Sequence, residues 1–271
     1  MVAKLRGVLR EKRIGHAGTL DPMATGVLPV FVGRATRAVE FFADGGKEYI
    51  AGLRLGMTTD TQDSTGTVLT SRPVTVEKTE VEAALNFFTG DIFQIPPMYS
   101  AVKKDGKKLY ELARKGQEVE RSPRPVTVAR LELLSQEDSC RYHLRIVCSK
   151  GTYVRTLCHD LGELLGCGGV MESLRRTAAA GFSLADAVTL EEVLRQEHPA
   201  ALLRAVDTGF LRYPGVTISS HAEKAARNGA SIPCPEASDG LCRVYSPSGE
   251  FLLLGQCAGG RIATVKSFFE V

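Results

Sequence analysis

Two runs in this sequence alternate strictly between apolar and polar residues, and they lie far apart in the chain. "KEYIAGLRLG" (47–56) sends Tyr49, Ala51, Leu53 and Leu55 to one face, and "RYHLRIVCSK" (141–150) does the same with Tyr142, Leu144, Ile146 and Cys148. A side-chain period of two belongs to strands with one buried face. "VTVARLELL" (126–134) and the stretch from Leu174 to Phe182 read as two more. Hairpins and long excursions separate these strands, not regular strand–helix–strand units. The pattern therefore predicts an α+β fold: a mixed, mostly antiparallel sheet with flanking helices on one side.

Helical spacing appears between the strands. Val2, Leu5, Val8 and Leu9 share a face opposite basic residues, which predicts a first helix ending near Arg13 with Gly15 as its stop. "VEKTEVEAALNFFTG" (76–90) predicts a helix with Val81, Leu85 and Phe88 inward and Gly90 as stop. Thr79 and Glu82 could form its capping box, with Thr75 as a rival start. In "GTYVRTLCHDLGELLG" (151–166), Val154, Leu157, Leu161, Leu164 and Leu165 fall on one face. Residues 94–125 look like an excursion bounded by prolines, with Tyr99, Tyr110 and one short helix around Leu109 to Ala113. After "LRYPG" the pattern changes to one short helix, "HAEKAARNG", and closely spaced strands around "SPSGEF". That predicts a boundary near residue 213, with residues 1–212 as one domain and 213–271 as a small β-barrel.

Charge narrows the function classes. The net charge is only +3, but two segments concentrate it. Residues 1–13 hold Lys4, Arg6, Arg10, Lys12 and Arg13 against Glu11, and residues 102–125 hold eight basic and four acidic side chains. Two such segments tilt the reading from solvated faces toward phosphate contacts. No apolar run approaches the roughly 18 to 20 residues of a membrane span, and the N-terminus lacks a signal peptide's apolar core. The seven cysteines are odd in number and never form Cys-x-x-Cys, which argues against a zinc site and a disulfide framework. Reduced, mostly buried thiols in a cytoplasmic protein are expected.

"GHAGTLDPMATGVLPV" (15–30) carries one carboxylate, Asp21, among glycines and directly before Pro22. The proline pushes Asp21 toward an extended conformation, and the glycines permit close backbone approach. On its own this describes an ordinary Asp-Pro turn as well as a presented reagent.

Four stretches in order, "RIGHAGTLDPMATGVLPVFVGRATR", "KEYIAGLRLGMTTDTQDSTG", "SKGTYVRTLCHDLGELLG" and "ESLRRTAAAGF", resemble the successive motifs of the bacterial TruB family of tRNA pseudouridine synthases. The resemblance runs through the whole chain. It implies isomerisation of the uridine at position 55 in the T-arm loop of tRNA, with no metal and no cofactor. It identifies residues 94–125 as similar to the family's RNA-gripping insertion, the thumb, and the C-terminal segment as PUA-like. Asp21 matches the catalytic aspartate, Arg155 the arginine that pairs with it, and Tyr49 the tyrosine that stacks on the target uracil and helps remove the proton from carbon 5. Asp63 would brace Arg155 from the other side. Leu174 resembles an apolar residue packed against the ring, and ordinary core packing describes it equally. His16 resembles the histidine that fills the space left when the base is extruded. Lys103, Lys104, Lys107 and Lys108, with Arg114, would contact RNA from the thumb.

The family pattern usually opens with a strand carrying Lys-Pro-x-Gly-x-Thr-Ser ahead of the first helix, and this sequence starts inside that helix. The alternative reading is therefore a catalytically impaired RNA-binding protein or tRNA-folding chaperone. The large insertion favours the free-standing bacterial form over guide-RNA-dependent relatives. A monomer without an obligatory protein partner is expected.

Overall fold

The computed structural model describes residues 1–43 and 45–269. Its chain forms two compact units: Thr19–Leu28 with Asp44–Asp186, and Met1–Gly18 with Pro29–Ala43 and Ala187–Val271.

The first unit is built on a seven-stranded sheet. Its strand order is Phe182–Ser183, Gly169–Ala179, Lys47–Leu55, Arg141–Cys148, Arg124–Gln136 and Gly90–Gln94, and the short Thr25–Gly26 strand also pairs with Gly169–Ala179. That last pairing is parallel and the others are antiparallel. The two alternating sequences lie side by side, with Tyr49 opposite Ile146 and Leu53 opposite Tyr142. Their predicted inner faces are buried, and they pack with helices Lys78–Leu85 and Val154–Leu164 in one core. Val81, Leu85, Leu157 and Leu161 supply much of the helical side of it. Burying one such side chain contributes about 1.5–3 kcal/mol, so this face alone accounts for much of the sheet's cohesion. The Val154–Leu164 helix can lie this close to the sheet because Gly162 has no Cβ; one there would overlap the Gly169 backbone.

Some boundaries differ from the pattern. The first helix is Val2–Leu9, not a helix to Arg13: Arg10 turns left-handed at φ 50°, and Gly15 lies in strand Ile14–His16. The Lys78–Leu85 helix is capped by Glu77 with Glu80, so Thr79 sits inside its first turn. Leu164 is 52 % exposed, because only the earlier turns of its helix face the sheet. Strand Gly169–Ala179 begins before Leu174, and a bulge between Met171 and Ser173 hides its alternation.

The insertion holds a hairpin of Lys103–Lys104 with Lys107–Lys108, followed by the Leu109–Ala113 helix. Asp105 and Gly106 both have positive φ, the chemistry of a two-residue hairpin turn. "DG" was the available signal, but lysines surround it where alternating apolar residues usually flank such a turn.

In the second unit, Ile14–His16 pairs with Val30–Val32. A five-stranded sheet follows in the order Gly215–Thr217, Gly240–Tyr245, Phe251–Ala258, Arg261–Ser267 and Ile232–Pro233. The Ser220–Arg227 helix, capped by Ser219 Oγ accepting from Ala222 N, covers a separate core that includes Ile218, Val244, Leu252 and Ile262. The seven cysteines are free thiols, five of them buried. Burial pushes the Cys158 thiol up to about 12 and Cys242 to about 11, which makes both poor nucleophiles. Among the described residues, no helix is long and apolar enough to cross a membrane.

Candidate active site

Asp21 begins a tight turn. Its carbonyl accepts from Ala24 N at 2.9 Å, with Pro22 and Met23 between them. Proline presets φ at the second position of such a turn, so the sequence itself stiffens it. Met23 and Ala24 pack on the main core, and the Asp21 side chain remains 33 % exposed. The turn and the presented carboxylate are thus one structure.

The side chain meets Arg155 near the start of helix Val154–Leu164. Arg155 Nε lies 2.9 Å from Asp21 Oδ2, a close charge contact without hydrogen-bond alignment, while Nη2 donates to Asp21 Oδ1 at 3.2 Å. The guanidinium is nearly buried, at 7 % side-chain exposure. Its Nη1 donates to the Thr61 carbonyl at 3.1 Å, and its Nη2 donates to the Tyr99 carbonyl at 3.0 Å. On the far side Asp63 Oδ2 stands 3.7 Å from Nη1. Two carboxylates therefore flank one cation, which holds it in place more strictly than either alone.

Asp63 is itself fixed. Its Oδ1 accepts from Thr61 Oγ1, Thr65 N and Thr65 Oγ1 at 2.8, 3.0 and 2.6 Å, and its carbonyl accepts from Thr59 Oγ1 at 2.6 Å. Within the polar stretch 58–66, Thr58, Thr59 and Asp63 are buried while Asp60, Ser64 and Thr65 stay exposed, so the network anchors one face of the loop. Gln62 within it has φ 62°, a conformation costly for a non-glycine residue. Gln62 Oε1 accepts from Thr156 Oγ1 at 2.8 Å, which ties this loop to the arginine's helix.

Tyr49 and Leu174 occupy neighbouring strands and the same core cluster, at 8 % and 7 % exposure. Leu174 lies opposite Ala51, and Tyr49 opposite Arg176. Burial raises the Tyr49 phenol above its ordinary value; a hydrogen bond from Arg176 and its charge pull it back, and Cys148 and Asp21 add to the rise.

His16 belongs to the other compact unit, on the strand paired with Val30–Val32, and its Nδ1 is buried without a hydrogen-bond partner. Lys103, Lys104 and Lys107 are exposed on the insertion hairpin and Lys108 is half-buried. Lys108 Nζ and the Arg114 guanidinium lie 5.4 and 5.3 Å from the centre of the Tyr110 ring. The structure thus brings Asp21, Arg155 and Asp63 into contact, sets Tyr49 and Leu174 on adjoining strands, and carries the lysines on a separate hairpin.

Comparison with known families decides among the chemistries these groups allow. Residues 6–154 match the profile described as TruB family pseudouridylate synthase (N terminal domain), and residues 155–207 match the tRNA pseudouridylate synthase B C-terminal domain. The chain belongs to the TruB family. It is 48 % identical over 270 residues to tRNA pseudouridine synthase B of Pseudomonas syringae, covering 96 % of this chain and 88 % of the relative. The corresponding protein of Stutzerimonas stutzeri is 46 % identical over 268 residues with the same coverage. Among solved structures, a Cbf5–Nop10–Gar1 complex aligns with TM-score 0.71 and 26 % identity, over 99 % of this chain and 80 % of that one. An H/ACA ribonucleoprotein bound to a substrate RNA containing 2′-deoxyuridine gives 0.72 at 24 % identity, with the same coverage, which speaks to the fold. The TruB chemistry makes this chain a tRNA pseudouridine synthase, an isomerase.

Three TruB-chain residues escaped the sequence reading. Gln94, 2 % exposed, brackets the Tyr153 backbone: Nε2 donates to its carbonyl at 3.2 Å and Oε1 accepts from its N–H at 2.9 Å. It thereby fixes the start of the arginine's helix from the root of the insertion. Gln62 and Arg176 are the others. Each is a polar residue whose partners lie far away in the chain, so local pattern carries little trace of it. In "SLRR" the structure exposes Arg175 and buries Arg176, a difference the two identical residue types do not announce.

Proposed function

We propose that this chain isomerises the uridine at position 55 in the T-arm loop of tRNA, with Asp21 as the attacking carboxylate. The reaction breaks the N1–C1′ bond, joins C5 to C1′, removes the C5 proton and returns a proton to N1. Nothing is gained or lost overall. Asp21 attacks or carries charge at the reacting centre, Arg155 fixes its direction with Asp63 behind it, and Tyr49 stacks on the uracil and helps remove the C5 proton. Leu174 packs against the ring. His16 fills the vacated place in the RNA loop. Flipping a base costs a few kcal/mol, and stacking is worth about 1–3 kcal/mol per base, so Tyr49 and His16 together offset most of the cost.

The observation that carries this reading is the half-buried, solvent-accessible Asp21 carboxylate standing 2.9 Å from a nearly buried Arg155. We read residues 94–125 as the RNA grip, and residues 213–271 as a PUA-like domain following a catalytic domain of residues 1–212. The separate core around Ile218 and Val244 supports a distinct C-terminal domain. Free-standing action as a cytoplasmic monomer completes the reading.

Single-site pseudouridine mapping on an unmodified tRNA transcript tests it. Wild type forms pseudouridine at one T-arm position. Asp21→Asn loses the rate by on the order of 10³-fold or more while tRNA binding persists. An Asp21→Asn protein that still isomerises would overturn the assignment, and binding or chaperoning without isomerisation in wild type would favour the non-catalytic alternative.

A further inference from the structure

Arg176 is 0 % exposed, deeper than Arg155. Placing a guanidinium there carries a large desolvation cost, so its partners should reveal its use. Its Nε donates to the Val27 carbonyl at 2.7 Å and its Nη1 to the Thr19 carbonyl at 3.4 Å. Those residues bracket the Asp21 turn. Its own carbonyl accepts from Val27 N at 2.8 Å, and its backbone pairs with Gly26. From the same strand position it faces Tyr49 and hydrogen-bonds the phenol. One side chain therefore reaches both ends of the aspartate loop and the tyrosine hydroxyl. A planar guanidinium can do this because its five N–H donors point in fixed directions, which a lysine cannot reproduce.

We propose that Arg176 is a positioning residue for the isomerisation: it locks the Asp21 loop to the strand opposite Tyr49 and aims the Tyr49 hydroxyl, so that carboxylate and phenol keep one spacing about the target uracil. This rests on the synthase reading above. Arg155 orients the Asp21 side chain, whereas Arg176 orients the loop backbone and the tyrosine. The groups whose charge acts on the Tyr49 hydroxyl are Arg176 on one neighbouring strand, Cys148 on the other, and Asp21 on the loop.

The test is a double-mutant cycle of Arg176→Lys with Tyr49→Phe, read by single-turnover isomerisation and by tRNA affinity. Arg176→Lys keeps the charge and loses the fork. It is expected to slow turnover by about 10- to 100-fold with tRNA affinity within about twofold. In the Tyr49→Phe background the same substitution costs markedly less, because the hydroxyl it served is gone. Equal costs in both backgrounds, or an unchanged rate, would overturn the proposal. A second readout needs neither a folded Arg176 variant nor an active enzyme. Tyr49→Phe removes one partner of the guanidinium, so amide hydrogen exchange across residues 19–28 should accelerate relative to wild type. Unchanged exchange there overturns the link between tyrosine and loop. Failure of wild type to isomerise, by contrast, would count against the synthase reading alone.

Discussion

Replacing Gly26 with alanine moves the catalytic loop without touching a catalytic side chain. Gly26 has φ +102°, and a Cβ there would overlap the Arg176 carbonyl oxygen and stand 2.8 Å from its nitrogen. Both are backbone atoms of a central strand and cannot swing aside. The backbone conformation alone costs a non-glycine residue about 1–3 kcal/mol. Relief of the overlap requires the loop to retreat by about 1 Å, and a misplacement of that size costs on the order of 100-fold in rate. Expected for Gly26→Ala are a melting temperature lower by roughly 3–10 °C, an isomerisation rate down by about 100-fold, and tRNA affinity within about twofold. Gly166→Ala is the control. It has φ +78° but open space around a Cβ, so it should lower stability and leave the rate alone. The assay is single-turnover pseudouridine formation beside thermal unfolding. A Gly26→Ala enzyme with wild-type turnover would show that the strand does not set the loop's position, and the reasoning would fall.

Changing Lys103, Lys104 and Lys107 together to glutamine should weaken tRNA binding and flatten its salt dependence. The log–log slope should fall by up to about 0.9 for each phosphate that these lysines neutralise. An unchanged slope would remove the hairpin from the RNA interface. Asp160, in the arginine's helix, is raised above the ordinary carboxylate value by burial, against the opposing pull of His159. A raised folded-state value means that the protonated form is the stabilising one. Its contribution is present at low pH and lost as pH rises through and above the usual 3.8. Asp160→Asn, always neutral, should therefore gain melting temperature over wild type at pH 7 relative to pH 3, by on the order of 1–2 °C. The opposite pH trend would contradict it.

The central sheet was legible because Tyr49, Ala51, Leu53 and Leu55 obey a period of two and bury one face. The Leu109–Ala113 helix was legible from its local spacing. The aspartate turn was readable too, since Asp-Pro fixes its own geometry. What escaped was set by partners far away in the chain. The bulge at Met171 broke the alternation of the last long strand. The first helix stopped early because Arg10 adopts a left-handed conformation that composition does not announce. Arg176 and Gln94 were invisible as site residues, since an arginine in a strand and a glutamine before a proline-rich stretch signal nothing until Thr19, Val27 and Tyr153 fold against them. Gly26 was legible as a close-approach glycine, and the backbone it approaches is that of Arg176.

Arginine has five N–H donors. In Arg155 the nitrogens that carry them stand against Asp21 Oδ2, Asp21 Oδ1, the Tyr99 carbonyl, the Thr61 carbonyl and the side of Asp63. An enzyme that must grasp a polyanion has thus sealed its most central cation against phosphate. On the proposed role of Asp21 this matters: an incoming backbone phosphate finds each nitrogen of Arg155 already facing an oxygen, which keeps the guanidinium on the carboxylate. Because Tyr99 belongs to the 94–125 insertion, one arginine nitrogen joins that insertion to the aspartate turn.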